Sequence, residues 1–213
     1  MCGIIGLYNN PEAGTLAYMG LYAQQHRGQE GAGIVSCDGD KMYNHMGQGL
    51  VSDVFSDSKI FDNLRGNYAI GHTRYSTTGE NITSNVGPLL FNLDDSFISI
   101  AHNGNLVNLS KTRKKLQKDG AIFRTTTDTE IIIHLLARKT QTTLTERIAA
   151  TLKEIEGAFS IIIISKEGCS GTYFCPHIAN CALPCTGKGF STFPKIFNNF
   201  PCSALHSHNS CQF

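Results

Sequence analysis

The sequence predicts an α+β fold in which helices and sheets are stacked in layers. Predicted strands and helices alternate in groups along residues 1–168 rather than strictly, which disfavours a doubly wound parallel sheet. The run at Phe159–Ser165 is apolar and rich in β-branched residues, as expected of a central strand buried on both faces. A chain of 213 residues is long enough for one sizeable domain followed by a tail.

The first elements are a strand, a helix and a pair of strands. Met1–Leu7 is a short apolar strand candidate, and Ala13–Gln25 carries apolar residues at roughly helical spacing. Gly31–Ser36 and Lys41–Met46 are predicted to pair around the turn at 38–40, because Asp-Gly-Asp is typical of a tight turn between strands.

The later elements are two strands and three helices. Tyr68–Thr73 and Phe97–His102 are predicted strands, and Leu109–Gly120 is predicted as an amphipathic helix with a basic outer face, closed by its glycine. Leu144–Ile155 is a further helix. Asp128–Lys139 is a strong helix with Thr127 or Asp128 as its N-cap; its buried side is predicted to carry Ile131, Ile132, Leu135 and Leu136.

Composition excludes several classes of function. The formal charge of +1 leaves no basic excess to neutralise phosphates, so nucleic-acid binding is not expected. Phe159–Ile164, the longest apolar run, is far shorter than the roughly 20 residues that span a bilayer. The N-terminal segment MCGIIGLYNN lacks the basic start and long apolar stretch of a secretory signal. No membrane association and a cytoplasmic location are therefore expected.

The composition changes abruptly after Gly168. Residues 169–213 contain six of the eight cysteines and two lysines, but no Asp, Glu or Arg, and they show no helix or strand periodicity. We therefore divide the chain into a domain at 2–168 and a Cys-rich divergent tail at 169–213.

Three explanations of the tail stay open. One is a zinc site, but its candidate ligands crowd into eleven residues without the usual paired spacing; they are Cys175, His177, Cys181 and Cys185. Another is a natural, divergent C terminus. The explanation we favour is a frameshift near codon 168, which would leave the tail poorly ordered and sheet edges uncovered. Translating the coding DNA in all three frames tests it, since the absence of a family-like continuation would exclude a frameshift.

Cys2 is the first candidate for chemistry. It directly follows the initiator methionine and precedes Gly3, a position where methionine is normally trimmed. The thiol would then share its residue with a free α-amine whose pKa lies near neutrality, so nucleophile and base would sit together. Taken alone, however, a small hydrophobic residue at position two is more often a bystander.

Two charged residues are candidates for binding a substrate. Arg74 follows a predicted strand in the segment GHTRYSTTG, and its planar fork suits bidentate capture of a carboxylate. Asp128 opens a predicted helix, where it is either an N-cap or a partner for a substrate ammonium. A lone arginine is more commonly solvated at the end of a strand, so neither residue is decisive by itself.

Two pairs of adjacent residues complete the candidate site. Asn103 and Gly104 follow the predicted strand ending at His102, where a side-chain amide and a main-chain amide can form an oxyanion hole. Asn-Gly is equally an ordinary turn pair. Arg27 and Gly28 form a polar corner between a helix and a strand.

Taken together, six ordered segments resemble a known family. MCGIIG, QQHRGQEGAGI, GLVSDVF, AIGHTRYSTTG, IAHNGNLVN and TDTEII are similar to the class II, N-terminal-nucleophile glutamine amidotransferases. QHRGQE, GLVSDVF and GHTRYSTTG favour the amidophosphoribosyltransferase branch over the glucosamine-6-phosphate and asparagine synthetase branches. The resemblance covers residues 1 to about 168. It implies a four-layer αββα sandwich of the N-terminal-nucleophile hydrolase type, incomplete here at its C-terminal strands.

The resemblance also implies a role for each candidate. Cys2 would attack the side-chain amide of glutamine, and Asn103 with Gly104 would hold the oxyanion. The α-carboxylate would bind Arg74 and the α-ammonium Asp128. The segment Tyr75, Ser76 and Thr77 would help to seat the substrate, and Arg27 with Gly28 would order the loops around the nucleophile. At Asn85-Val86-Gly87-Pro88 the chain departs from the family's Asn-Ala-Gln-Pro, which puts the local loop contacts in doubt.

What the resemblance implies beyond this domain is absent from the chain. Amidophosphoribosyltransferases continue with a phosphoribosyltransferase domain, whose acidic segment binds phosphoribosyl pyrophosphate and Mg²⁺, and nothing like that segment occurs here. We therefore expect no metal and no cofactor in this chain. Mg²⁺ and an iron–sulfur cluster, if the parent enzyme has one, would belong to the missing part. The parent enzyme is expected to be a homo-oligomer. The expected activity is the glutaminase half of phosphoribosylamine synthesis. A stand-alone glutaminase subunit and an inactive glutamine-binding remnant are the alternatives.

Overall fold

The computed structural model describes residues 2–76, 82–94, 96–107 and 109–166, together with the backbone of 168–175 and 178–184. Its strands are β1 Gly3–Leu7, β2 Gly31–Cys37, β3 Met42–Gln48, β4 Tyr68–Arg74, β5 Leu89–Leu93, β6 Ser96–Leu106, β7 Gly157–Ser165, β8 Gly168–Cys175 and β9 Ile178–Pro184. Its α-helices are α1 Ala13–Ala23, α2 Val51–Val54, α3 Lys59–Asn63, α4 Leu109–Lys118, α5 Thr129–Ala137 and α6 Leu144–Leu152. Gln25–Arg27 and Thr83–Asn85 form 3₁₀ turns.

The first sheet has four antiparallel strands in the order β1-β4-β2-β3. The hairpin predicted around residues 38–40 is confirmed, since β2 and β3 pair from Gly31↔Gln48 to Cys37↔Met42. Gly3 pairs with Thr73, so the chain before β1 lies beside the chain that leaves β4. Sheet register therefore brings Cys2 close to Arg74 and Tyr75.

The second sheet has five antiparallel strands in the order β5-β6-β7-β8-β9. Its strand β6 continues to Leu106, whereas the apolar pattern predicts an end at His102. Asn103 and Gly104 are therefore not a turn, because they pair with Ser160 and Phe159 of β7. Polar residues stay in this strand because pairing with β7, in which alternate residues exchange backbone hydrogen bonds, keeps the chain extended.

The two sheets pack face to face between two helical layers. In β2, Ile34 packs with the cluster that includes α1, and Val35 packs with the cluster between the sheets. In β7, Ile161 packs towards α4–α6 and Ile162 towards the first sheet. Strands buried on both faces confirm the predicted four-layer αββα sandwich and the central position of β7.

Helices α4, α5 and α6, which pack on the second sheet, begin and end close to their predicted limits. All four residues predicted for the buried side of α5 are buried. Helix α6 begins after a capping box, in which the Thr143 hydroxyl accepts from the Glu146 amide and Glu146 accepts from the Thr143 amide. Helix α4 is followed by Gly120 with φ +90°, as its closing glycine predicts.

Two strands extend the second sheet where the pattern predicts no regular structure. Strand β8 pairs with β7 from Phe159↔Phe174 to Ser165↔Gly168, and β9 pairs with β8. The side-chain pattern after Gly168 places no strand, but an exposed strand edge pairs through its backbone whatever that pattern is. The domain limit at 168 and the incompleteness of the sheet remain predictions.

Candidate active site

A pocket opens where the two sheets meet at the ends of β1, β4 and β6. It holds about 430 Å³ of space free of protein atoms, part of it open to solvent. Five residues that the sequence predicts for the site line it: Cys2, Arg74, Tyr75, Gly104 and Asp128. His72, Asn85, His102 and residues 127–129 also contribute to its wall.

Cys2 is partly buried at the start of β1, and its sulfur lies against the backbone of Tyr75. Sγ is 3.4 Å from both the amide nitrogen and the carbonyl oxygen of Tyr75. The Gly3 amide donates to Thr73 Oγ1 at 3.0 Å, which fixes the residue after the thiol. The thiol therefore has a defined position in the pocket without a strong hydrogen bond that would oppose its reaction.

Arg74 is buried at the end of β4. Its Nη1 donates to the main-chain oxygen of Asn85 at 3.1 Å, and its Nε lies 4.0 Å from a carboxylate oxygen of Glu30. A buried guanidinium that protein groups hold in place keeps its planar fork in a fixed direction. The solvated strand-end alternative for Arg74 is therefore wrong.

Glu30 links Arg74 to the segment that follows it. The Ser76 amide lies 3.1 Å from both Glu30 carboxylate oxygens, and the Ser76 hydroxyl also donates to Glu30. Tyr75 is half exposed at the mouth of the pocket. Thr77, the last residue predicted for this segment, lies outside the described residues.

Asp128 is buried at the N-terminus of α5. Its side chain makes no capping hydrogen bond; instead one oxygen lies 3.4 Å from His102 Nδ1 and the other accepts from the Leu106 amide at 3.4 Å. Burial raises the pKa of Asp128, but the contacts with His102 and Leu106 outweigh it and hold that pKa below its ordinary value. Asp128 is therefore the N-cap residue of α5 by position, as predicted, but its buried carboxylate faces the pocket instead of capping the helix.

Asn103 and Gly104 lie side by side in β6. Asn103 Oδ1 is buried and has no hydrogen-bond partner among the described residues. Gly104 has φ +151°, and a Cβ at this position would lie 2.3 Å from the carbonyl oxygen of Ala158. Only glycine therefore fits here.

Arg27 and Gly28 contact the backbone of the site residues. Arg27 Nε donates to the main-chain oxygen of Cys2 at 3.2 Å. A Cβ on Gly28 would lie 2.6 Å from the carbonyl oxygen of Arg74, so this corner requires a residue without a side chain. Both contacts fit the supporting role predicted for the pair.

Three residues that shape the site escape prediction from the sequence: His72 and Asn85 line the pocket, and Glu30 contacts Arg74 and Ser76 behind it. Each lies within a segment that the motifs contain or flank, but none has a pattern that separates it from its neighbours. His72 is fully buried, and burial together with the charge of Arg74 lowers the pKa of its imidazole to about 4.

Among the residues that the structure describes, no group of three or more His, Cys, Asp and Glu side chains could hold a metal ion. The side chains of the four zinc-ligand candidates in the tail lie outside the described residues, so that hypothesis stays open. Within the same described ranges, no helix has the length and apolar character that crossing a membrane requires.

Two comparisons with known proteins show which family the chain belongs to. Residues 72–175 match the family described as a glutamine amidotransferase domain. The chain is also 42% identical over 167 residues to an amidophosphoribosyltransferase of Lacticaseibacillus casei, an alignment that covers 78% of this chain and 86% of that protein. The chain belongs to the amidophosphoribosyltransferase family. The resemblance drawn from its six segments is thereby confirmed, and the family match extends past residue 168.

Other amidophosphoribosyltransferases are considerably longer than this chain. The Staphylococcus aureus (strain MRSA252) protein is 43% identical over 171 residues, which are 80% of this chain and 34% of the relative. The solved glutamine phosphoribosylpyrophosphate amidotransferase of B. subtilis superposes with a TM-score of 0.75 at 38% identity, covering 81% of this chain and 37% of that one. The chain thus spans about a third of the length of these two relatives and carries the glutamine amidotransferase domain of the family.

Proposed function

We propose that this domain hydrolyses glutamine to glutamate and ammonia with Cys2 as the nucleophile. The observation that supports it best is that the Cys2 thiol, the Arg74 guanidinium and the Asp128 carboxylate line one pocket. A thiol beside one cationic and one anionic group suits an amino acid whose side chain carries the reacting carbonyl.

Glutamine binding would use the two buried charges. Arg74 would bind the α-carboxylate through its planar fork, and Asp128 would bind the α-ammonium. The low pKa of Asp128 keeps its carboxylate charged at neutral pH, as an ammonium partner requires. Tyr75, Ser76 and Thr77 would help to seat the bound substrate.

The reaction requires removal of Met1, which frees the α-amine of Cys2. That amine would take the thiol proton, directly or through water, while Sγ forms a bond to the amide carbon. The Gly104 amide and the Asn103 side chain would stabilise the oxyanion. Proton transfer to nitrogen then releases ammonia and leaves a γ-glutamyl thioester, and water hydrolyses this ester to glutamate and the free thiol.

In the family context, the ammonia would serve phosphoribosylamine formation, the first committed step of purine synthesis. That step needs phosphoribosyl pyrophosphate and Mg²⁺, which belong to a part of the longer relatives that this chain does not span. We therefore expect glutaminase activity alone, and synthase product only with a partner that supplies the acceptor site. The cytoplasmic location and an oligomeric parent enzyme are parts of the same proposal.

The first test replaces the nucleophile. In Cys2→Ala, glutamate release should fall by about 10³-fold or more, because no other group can form the thioester. Cys37→Ala is the matched control: Cys37 is buried between the sheets, where burial raises the pKa of its thiol and keeps it unreactive. Glutamate formation is measured on purified protein, with the intact mass recorded to establish that Met1 is absent.

Two outcomes would contradict the proposal. Undiminished glutamate release by Cys2→Ala would mean that another group does the chemistry. Wild-type protein that lacks Met1 and binds glutamine without releasing glutamate would be the inactive remnant instead.

A further inference from the structure

Asn85 is a buried side chain in the pocket wall with contacts in two directions. It is 2% exposed and ends the short 3₁₀ turn at Thr83–Asn85. Its main-chain oxygen accepts from Arg74 Nη1 at 3.1 Å. Its side-chain amide forms two hydrogen bonds to Thr126: Oδ1 accepts from the main-chain amide at 3.0 Å, and Nδ2 donates to the hydroxyl at 2.7 Å.

Thr126 belongs to the loop that places Asp128. Glu130, which is fully buried, accepts from the amides of Arg124 and Thr125 at 2.9 and 2.7 Å. This loop is thus held from the helical side by Glu130 and from the side of the first sheet by Asn85. Asp128 follows only two residues after Thr126.

We propose that Asn85 is a positioning residue that fixes the separation between Arg74 and Asp128. Arg74 belongs to the first sheet, whereas Asp128 is bound to the second through His102 and Leu106. Asn85 joins them, because its main chain touches the guanidinium and its side chain touches the loop. This inference rests on the proposed function, in which these two residues bind the two α-groups of one substrate.

The separation of the two groups matters only for a ligand that binds both. Two charges on one α-carbon are rigidly spaced, so anchors that drift apart cannot both be satisfied at their best geometry. A ligand with one α-group can follow the anchor that it uses. Loss of Asn85 should therefore weaken glutamine selectively and leave single-anchor ligands almost unaffected, a pattern that general loss of structure would not produce.

The test compares three amides. L-glutamine carries both α-groups, γ-aminobutyramide lacks the carboxylate, and glutaramic acid lacks the ammonium. In Asn85→Ala, KM for glutamine should rise about tenfold or more, since two hydrogen bonds are lost, with kcat much less affected. The kcat/KM values for the other two amides should change by less than about threefold.

Two further variants control the experiment. Thr126→Ala removes only the hydroxyl partner of an exposed residue, so it should fold and shift glutamine in the same direction by a smaller factor. Thr151→Ala removes a buried hydroxyl whose hydrogen bond to the Arg147 carbonyl, at 2.8 Å, lies inside α6 away from the pocket, and it should not change the ratio between the amides.

Equal losses for all three amides in Asn85→Ala would overturn the inference, as would an unchanged KM for glutamine in both Asn85→Ala and Thr126→Ala. Binding of the same ligands to the Cys2→Ala background, by calorimetry or NMR titration, is measured in parallel. If the wild type releases no glutamate but these affinities still show the selective loss, the proposed hydrolysis fails and the role of Asn85 stands.

Discussion

The two sheets hold their halves of the pocket in different ways. In the first sheet, Cys2 and Arg74 owe their positions to the pairing of β1 with β4, which is fixed by a ladder of backbone hydrogen bonds. In the second, Asn103 and Gly104 likewise lie in a paired strand, but Asp128 depends on a loop held by side chains. The nucleophile is thus positioned by sheet register, and one of the two substrate anchors by a side-chain network.

The two halves of the pocket should therefore respond differently to substitutions. Backbone pairing does not depend strongly on any one side chain, so substitutions near Cys2 and Arg74 should act mainly through the group that is removed. The Asp128 loop depends on individual hydrogen bonds, and each buried group that loses its partner carries the cost of desolvation. Changes at residues that never touch glutamine should therefore reach the ammonium anchor more readily than the nucleophile.

After the loss of the nucleophile itself, the largest effect is expected at the oxyanion site. Asn103→Ala should lower kcat for glutamine hydrolysis by about 10²–10³-fold with little change in KM, because the lost donor acts on charge that develops during the reaction. Steady-state kinetics on purified protein measures the split. Ser160→Ala, opposite Asn103 on β7, is the control for disturbance of the strand pair and should keep kcat within about threefold. A rise in KM at constant kcat would instead assign Asn103 to ground-state binding.

A smaller effect is expected at the two substrate anchors. Arg74→Lys retains the charge but loses the planar fork, and Asp128→Asn retains the shape but loses the charge. Each should raise the Kd of glutamine by about 10²-fold, since a buried ionic contact loses its partner. Calorimetry on the Cys2→Ala background measures both affinities.

The same two variants separate the roles of the anchors. Glutaramic acid, which lacks the ammonium, should bind Asp128→Asn about as well as it binds the parent protein, whereas Arg74→Lys should weaken it. γ-Aminobutyramide should show the opposite pattern. Reversed preferences would mean that Arg74 and Asp128 do not bind the two α-groups directly.

Most of the fold follows from sequence patterns, because the strands of both sheets are apolar runs with clear ends. Strand β5 and the short helices α2 and α3 lie where no element is predicted. In β6, polar residues 103–105 hide the strand's continuation. Their place in the strand is set by pairing with β7, a long-range contact that no local pattern encodes. Strands β8 and β9 are hidden for the same reason.

The candidate site is predictable only in part. Five of the residues assigned from the resemblance line one pocket. Asn103, Ser76, Arg27 and Gly28 do not line it, and Thr77 is not described. Sequence patterns cannot find Asn85 or Glu30, whose importance lies in which distant residues they touch. Asn85 stands 41 residues from Thr126, and Glu30 stands 46 residues from Ser76. Such contacts exist only once both sheets are assembled.

The smallest effect is expected on stability, from the protonation of His72, which lies on β4 and faces β6 where the two sheets pack together. Burial and Arg74 lower the pKa of its imidazole from 6.5 to about 4, while a hydrogen bond to the His102 main chain and the charge of Asp128 oppose the shift only in part. Between pH 6.5 and 4 the unfolded chain therefore binds a proton that the folded protein excludes, so stability falls as the pH falls. Between pH 7 and pH 5 this should remove about 2 kcal/mol from the free energy of unfolding.

Replacing the titrating group isolates that contribution. His72→Asn cannot take up the proton, so its free energy of unfolding should fall about 2 kcal/mol less than that of the wild type between pH 7 and pH 5. Urea unfolding at several pH values measures both slopes, and the difference between the two proteins should stay constant above pH 7, where the imidazole is neutral in both states. Parallel slopes down to pH 5 would contradict this, because they would mean that His72 is protonated in the folded protein. The contact between the sheets would then be open to water, and the pocket would be less rigid than its buried anchors imply.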